Sequence, residues 1–212
     1  MLIDLSVKDF ITTTASGDPV PGGGSISALN GALAAALGAM VSRLTIGRKK
    51  FADREEDMKM LLAEIETVEN TLTLAIDRDS EAYATVMAAF KLPKDTDEEK
   101  RIRREEIQAA TRGAAEVPMQ VARMTASLLP KLEAVANMGN PNAVTDAAVA
   151  TMCARTAIFG ALLNVEINLS SLADVDYVAA MRLEAASLRI EAEEAERRVL
   201  RHVNEQINPS LT

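Results

Sequence analysis

Two aspartates and three asparagines stand out in this chain by where their neighbours put them. Asp79 falls on an apolar stripe that runs through Met58, Leu61, Leu62, Ile65, Val68, Leu72, Ala75 and Ile76 and continues to Tyr83, Val86 and Phe90, one turn before Tyr83. A carboxylate on a core-facing stripe needs a partner or a raised pKa. Asp79 therefore either accepts from Tyr83 or a buried cation, or stands ready as an acid for proton transfer. Thr145 and Asp146 open a later helical pattern, where capping of free N–H groups would account for both. Asn164 lies 18 residues, about five turns, beyond Asp146 on the same face, with Ala150, Cys153, Ala157 and Gly160 between them and Asn168 one turn further. That row reads either as asparagines crosslinking helices or as a narrow groove whose amides meet the polar edge of a flat heterocycle.

A second group of candidates brackets the segment Pro19–Gly47. Gly22, Gly23 and Gly24 lead into Ser25, and no charge follows until Arg43. Glycines permit close approach of another group, Ser25 is a natural N-cap, and a glycine turn opening a helix presents free N–H groups to an anionic or carbonyl-bearing ligand. A tight turn with a cap is the plainer reading. GGGSIS has neither the G-x-G-x-x-G spacing nor a following Gly-Lys-Ser/Thr, which argues against a nucleotide cradle. Gly47 ends the segment, and Arg48, Lys49 and Lys50 follow as dipole-matched cations or as a holder for an anionic tail.

Other chemistries are thinly supplied. His202 is the single histidine and Cys153 the single cysteine, so a Cys/His zinc site cannot be built and an intrachain disulfide is excluded. No EF-hand or paired Glu-x-x-His pattern occurs, so no metal or nucleotide cofactor is expected. A net charge of −8 argues against nucleic acid and acidic membranes as partners. The uncharged run 19–42 is long enough to span a bilayer, but its glycines, serines and Asn30 and its lack of an aromatic belt favour a buried helix. With no secretory signal at the start and one cysteine, the expected location is the cytoplasm.

The elements that must position these residues are helical. Aromatic residues make up 3% of the chain and hydrophobic residues 48%, a balance suited to closely packed helices rather than a β-sandwich. Small residues at Ala28, Gly31, Ala35, Gly38 and Ser42 form a seam for close approach. A capping box at Ser6–Asp9 predicts a short helix over 6–15, and a long helix is expected over 53–90. Pro118 predicts a kink or break near Val117, with helix resuming to Asn137 before the turn Gly139-Asn140-Pro141-Asn142. A final helix over 176–206 carries a three-four seam of Val178, Met181, Ala185, Leu188, Ala192, Ala195 and Val199. The expected fold is all-α, one domain over 1–212, a bundle of five or six helices, several long. Seams on two faces predict a homodimer with the groove at or near its interface.

PGGGSISALNGALAAALGAMVSRLTIGRKK resembles the opening of the cyclodeaminase/cyclohydrolase family of folate enzymes. IDRDSEAYATVM at 76–87, KLPK at 91–94, Pro118, GNPNAVTDAA at 139–148 and NVEINL at 164–169 follow in that family's order. The resemblance implies a tetrahydrofolate derivative as substrate. It also implies one of two reactions: hydrolysis of 5,10-methenyltetrahydrofolate to 10-formyltetrahydrofolate, or closure of 5-formiminotetrahydrofolate with loss of ammonia. Both pass through a tetrahedral carbon between two nitrogens and need proton shuttling. Asp79 or Asp146 would move the proton; Asn140, Asn164 and Asn168 would orient the pterin; the 22–25 loop would approach through its N–H groups; Lys49 and Lys50 would hold the glutamate tail. The cyclohydrolase ranks first because no formimino-delivering half is present in the chain. A non-catalytic, folate-binding helical dimer is the rival from another class.

Overall fold

Small residues at three-four spacing let neighbouring helices come close to a central one, and the computed structural model, which describes residues 1–208, is built on that property. Seven α-helices occur: α1 (Val7–Thr14), α2 (Gly23–Thr45), α3 (Glu55–Phe90), α4 (Asp97–Ala126), α5 (Leu129–Met138), α6 (Val144–Leu169) and α7 (Val175–Ile207). Six of them form an all-α bundle, and the two-turn α1 lies against its outside; no strand occurs among the described residues. α2 packs most extensively on α3 and α6, and α4 and α5 close the bundle beneath it. At Gly38 an added Cβ would stand 2.6 Å from Leu132 Cδ2, and at Gly31 2.7 Å from Thr125 Oγ1. The seam thus admits side chains from α4 and α5 to within contact of the α2 backbone.

The core is alanine-rich and filled by Leu72, Met119, Leu132, Ile158 and Leu162, all essentially inaccessible. Burying each such side chain contributes roughly 1.5–3 kcal/mol. The ion pairs Arg123–Glu184, Arg182–Glu166 and Arg198–Glu133, which tie α7 to the bundle, are partly exposed and screened by solvent, so each adds little. Packing, not charge, therefore holds the helices. α2 and the segment Pro141–Leu169 are apolar and long enough to cross a bilayer, yet 61% and 50% of their most apolar windows are buried inside the bundle.

Pro118 does not break its helix. α4 runs unbroken from Asp97 to Ala126, and the break falls at Ser127–Leu128, just before Pro130 in the first turn of α5. Proline lacks the N–H that would bond the carbonyl four residues back, at Ala114. Asn168 Nδ2 donates to that carbonyl at 3.1 Å instead, so a side chain of α6 repairs the ladder of α4.

Ser25 is not the cap of α2 either. The helix starts at Gly23, with Gly22 at the N-cap position and no side-chain cap of its own. The hydroxyl of Ser25 turns inward to donate to Ile76 O at 2.8 Å, and its N–H donates to Asp79 Oδ2 at 3.1 Å. An aspartate on α3 therefore caps the N-terminus of α2.

Candidate active site

That cap is the centre of a cavity of about 330 Å³. Its walls are Pro19, Val20, Gly22 and Gly23 from the entry to α2; Asp79, Ala82, Tyr83 and Val86 from α3; Ala114 from α4; and Asn164, Ile167 and Asn168 from α6. The volume lies at the lower end of the range for small-molecule sites. A somewhat larger trough of about 410 Å³ runs under α1, but its lining is almost wholly apolar, with Glu69 and Thr73 as the polar exceptions. Convergent polar groups mark the first cavity as the chemical one.

Asp79 is held by one edge. Oδ2 accepts from the Ser25 N–H and, at 3.4 Å, from the Ser25 hydroxyl. Oδ1 has no hydrogen-bond partner among the described residues. Burial raises the carboxyl above the usual carboxylate range, and the Ser25 N–H and hydroxyl offset part of the rise. Neither partner expected for Asp79, Tyr83 or a cation, is the one it has. A Cβ on Gly24 would overlap the Asp79 carboxylate, which is why glycine is required there.

The two asparagines are fixed through their amide nitrogens. Asn164 Nδ2 donates to Gly160 O at 2.9 Å, and Asn168 Nδ2 donates both to Asn164 O at 2.8 Å and to Ala114 O. Both N–H bonds of Asn168 are thereby used, which leaves its Oδ1 as an acceptor. Asn164 Nδ2 lies 3.1 Å from where a Cβ on Gly23 would stand. Tyr83 is 40% exposed and presents its ring at the mouth. The result is a cavity lined by a carboxylate and two side-chain amides whose nitrogens are committed to backbone carbonyls, a set with acceptors left over for a ligand rich in N–H donors.

The remaining expected residues do not join this cluster within the chain. α2 and α6 run antiparallel, Gly23 beside Asn164 at one end and Thr45 beside Asn140 at the other. Lys49 and Lys50 follow α2 on a short 3₁₀ turn, Lys49–Arg54, about 33 Å of helix away from Gly23. Asp146 sits in the first turn of α6 without capping it, about 27 Å along the helix from Asn164. Asn140 is committed to structure: its N–H donates to Thr45 Oγ1 at 2.9 Å, its Nδ2 to Leu44 O at 3.2 Å, and its Oδ1 accepts from the Asn142 N–H at 3.1 Å. The expected groove between Asp146 and Asn164 is no groove, because Ala150 and Ala157 are fully buried in helix contacts. Ala82 and Ile167 went unnoticed in the sequence although each lies three residues from Asp79 or Asn164, on the same helical faces, and Val86 was read only as part of the apolar stripe. Ala114 carried no local signal.

The sequence of the chain matches the formiminotransferase-cyclodeaminase family over residues 6–187. The chain belongs to that family. It is similar to a methenyltetrahydrofolate cyclohydrolase of Methylorubrum extorquens, 38% identical over 203 residues that cover 96% of this chain and 98% of that protein. It is also similar to the formimidoyltransferase-cyclodeaminase of Rattus norvegicus, 36% identical over 90% of this chain but only 35% of the rat protein. In three dimensions it superimposes on a crystal structure of formiminotetrahydrofolate cyclodeaminase from Thermotoga maritima with a TM-score of 0.87 and 29% identity, covering 98% of this chain and all of that one. Among the described residues no group of three or more His, Cys, Asp or Glu side chains is placed to hold a metal ion.

Proposed function

We propose that the protein is a folate one-carbon enzyme, a 5,10-methenyltetrahydrofolate cyclohydrolase that yields 10-formyltetrahydrofolate. The observation that carries this is Asp79: a half-buried carboxyl in the wall of a cavity of heterocycle size, with Oδ2 anchored to the end of α2 and Oδ1, packed beside Gly24, left without a hydrogen-bond partner among the described residues. Similarity to a cyclohydrolase over 98% of that enzyme's length supports the choice of reaction.

Methenyltetrahydrofolate carries a cationic N5–C–N10 bridge whose carbon is electrophilic. The pterin's donors face the acceptor wall of Asn164 and Asn168, and the Tyr83 ring and Val86 cover its flat face. Asp79 Oδ1 takes a proton from a water as its oxygen bonds to the bridging carbon. The carbon becomes tetrahedral and carries the new hydroxyl, Asp79 returns the proton to N5, and the C–N5 bond breaks as the hydroxyl loses its own proton to solvent, which leaves the formyl group on N10 and one proton released per turnover. A carboxyl whose pKa is raised by burial is a better donor and acceptor for such a shuttle than an ordinary carboxylate. The same carboxylate, before it accepts the proton, opposes the positive charge of the bridge.

The second reading, closure of 5-formiminotetrahydrofolate with release of ammonia, is favoured by the likeness to the Thermotoga maritima cyclodeaminase. It uses the same tetrahedral carbon, with N10 in place of water. In either role we place the protein in the cytoplasm as a homodimer, the exposed apolar residues Leu33, Leu163 and Ile167 of α2 and α6 supporting the second copy. Absorbance separates the reactions: loss of the methenyl chromophore from 5,10-methenyltetrahydrofolate supports the cyclohydrolase, and its growth from 5-formiminotetrahydrofolate with ammonia released supports the cyclodeaminase. Silence in both with folate bound would leave a binding module and overturn the enzyme.

A further inference from the structure

The Asp79 cavity, at about 330 Å³, lies near the lower limit for small-molecule sites, and its polar groups answer the N–H donors of a pterin. A tetrahydrofolate also carries a benzoyl ring on N10, flat and without donors of its own. With the N5–C–N10 bridge held at Asp79, that ring leaves the cavity through the mouth at Tyr83.

Outside the mouth, α3 has no core beneath it. Asp79, Tyr83, Val86 and Phe90 stand at i, i+4, i+7 and i+11, on one line along the helix. As far as Ile76 the same stripe is buried in the bundle; beyond it Ala89 is the only buried residue of α3, and α4, returning alongside, buries nothing before Thr111. The two helices therefore leave the bundle as an arm about 15 Å long. Tyr83, Met87 and Phe90 are 40%, 38% and 49% exposed on it. Scattered exposed apolar side chains need no explanation, but these three are neighbours at spacings of four and three, and they continue a cavity wall to which Tyr83 and Val86 already belong. Past Asp79 the line carries no charge, which suits a neutral ring and not a carboxylate.

The end of the arm is built to hold Phe90 in place. Arg103 of α4 donates through Nη2 to Phe90 O at 3.1 Å and sets its guanidinium over the Phe90 ring, 5.7 Å from the centroid. A capping box of Thr96 and Glu99 closes the start of α4 just before it. The last turn of α3 is thereby tied to its neighbour at the residue whose ring stands half-exposed.

We propose that Phe90 is the seat of the substrate's benzoyl ring, with Met87 beside it, and that Arg103 is the residue that positions Phe90. Offset stacking of the two rings, with the area they cover, sets the expected effect at about tenfold in affinity.

The inference rests on the folate reading of the cavity, and equilibrium binding of two ligands separates the two. Tetrahydrofolate carries the benzoyl ring, whereas 6-methyltetrahydropterin ends before it. Phe90→Ala should weaken tetrahydrofolate about tenfold and leave 6-methyltetrahydropterin unchanged, with circular dichroism and sedimentation as in the wild type. Phe90→Tyr, which keeps a ring, should bind tetrahydrofolate as the wild type does. Arg103→Ala should lose part of the same affinity, again for tetrahydrofolate alone, and should add little to the loss in a Phe90→Ala background. Equal losses on both ligands, no loss on tetrahydrofolate, or a Phe90→Ala chain whose oligomeric state changes would overturn the proposal, the last by making the arm an interface between copies. Wild-type binding of both ligands that is indifferent to Phe90 removes the benzoyl seat and leaves the folate reading; wild-type binding of neither removes both.

Discussion

The two ends of α2 are built on opposite principles. At the N-terminal end three polar side chains are held across helices: Asp79 by Ser25, Ser25 by Ile76, Asn168 by Ala114. At the C-terminal end Lys49 and Lys50 project from a short 3₁₀ turn, anchored by Arg54, which donates to Met138 O at 3.1 Å, and by Phe51, which is buried and lies under the Lys50 ammonium at 5.7 Å. Moving a proton demands placement to a fraction of an ångström, and rigid helices supply it. Holding a long, flexible carboxylate tail demands only charge of the right sign within reach. On the proposed function, the first is the reacting end, and we assign the second to gripping the substrate's tail.

The sharpest way to break the comparison is Asp79→Asn. With a positioned acid–base worth about 10²–10⁴ in rate, kcat should fall by that order while the thermal midpoint at pH 7 does not fall. The sign follows from linkage. The folded-state pKa of Asp79 is raised, so between the usual carboxylate value and the raised one the folded chain holds more protons than the unfolded chain, and stability decreases as pH rises through that window. The asparagine variant lacks that loss and keeps the Ser25 contact. Denaturation at several pH values checks the slope, and a larger kcat loss in Asp146→Asn would move the proton to Asp146.

Gly24→Ala attacks the same end without touching the acid. The new methyl would overlap the Asp79 carboxylate, so the side chain must swing out or α2 must move. Overpacking of this kind costs about 1–3 kcal/mol, and displacement of the acid should lower kcat by about 10²-fold. In the Asp79→Ala background the stability cost of Gly24→Ala should largely vanish, a coupling that a double-mutant cycle reads directly.

Asn168 joins positioning to packing. Asn168→Ala leaves the Ala114 carbonyl, already without its helical N–H because of Pro118, unpaired beside the cavity, at a cost of about 1–3 kcal/mol. Pro118→Ala restores that N–H, so Asn168→Ala should cost less in the Pro118→Ala protein than in the wild type. Equal costs in both backgrounds would deny the repair.

These features differ in how far they could be read before the fold was known. Asp79 was legible because a carboxylate interrupts an otherwise apolar stripe, and Asn164 and Asn168 because they share a helical face. Ser25 was misread for a physical reason: local capping rules look to a residue's own side chain, whereas the carboxylate that caps α2 arrives from 54 positions away. Pro118 was misread likewise, since its usual penalty assumes that the orphaned carbonyl stays orphaned. The row from Asp146 to Asn164 did share a face, but a face buried between alanines is a helix contact, and periodicity alone does not tell the two apart. The helices themselves were legible almost throughout because three-four patterning is local information, and the break at Ser127–Leu128 was missed where that patterning continues across it.

The gripping end should yield the smallest effect and the most specific one. Lys49→Ala/Lys50→Ala is expected to leave kcat near wild type and raise KM about tenfold, equivalent to roughly 1.4 kcal/mol of binding. Added salt should narrow the gap between variant and wild type, because exposed charges are screened within about 10 Å at 0.1 M. The discriminating substrate is a methenyl pterin that ends at the benzoate without its glutamate. On that substrate the two lysines should matter little, whereas Asp79→Asn should be as damaging as on the full folate. A variant that lost the same factor on both substrates would place the lysines among the reacting groups and erase the distinction between the two ends of α2.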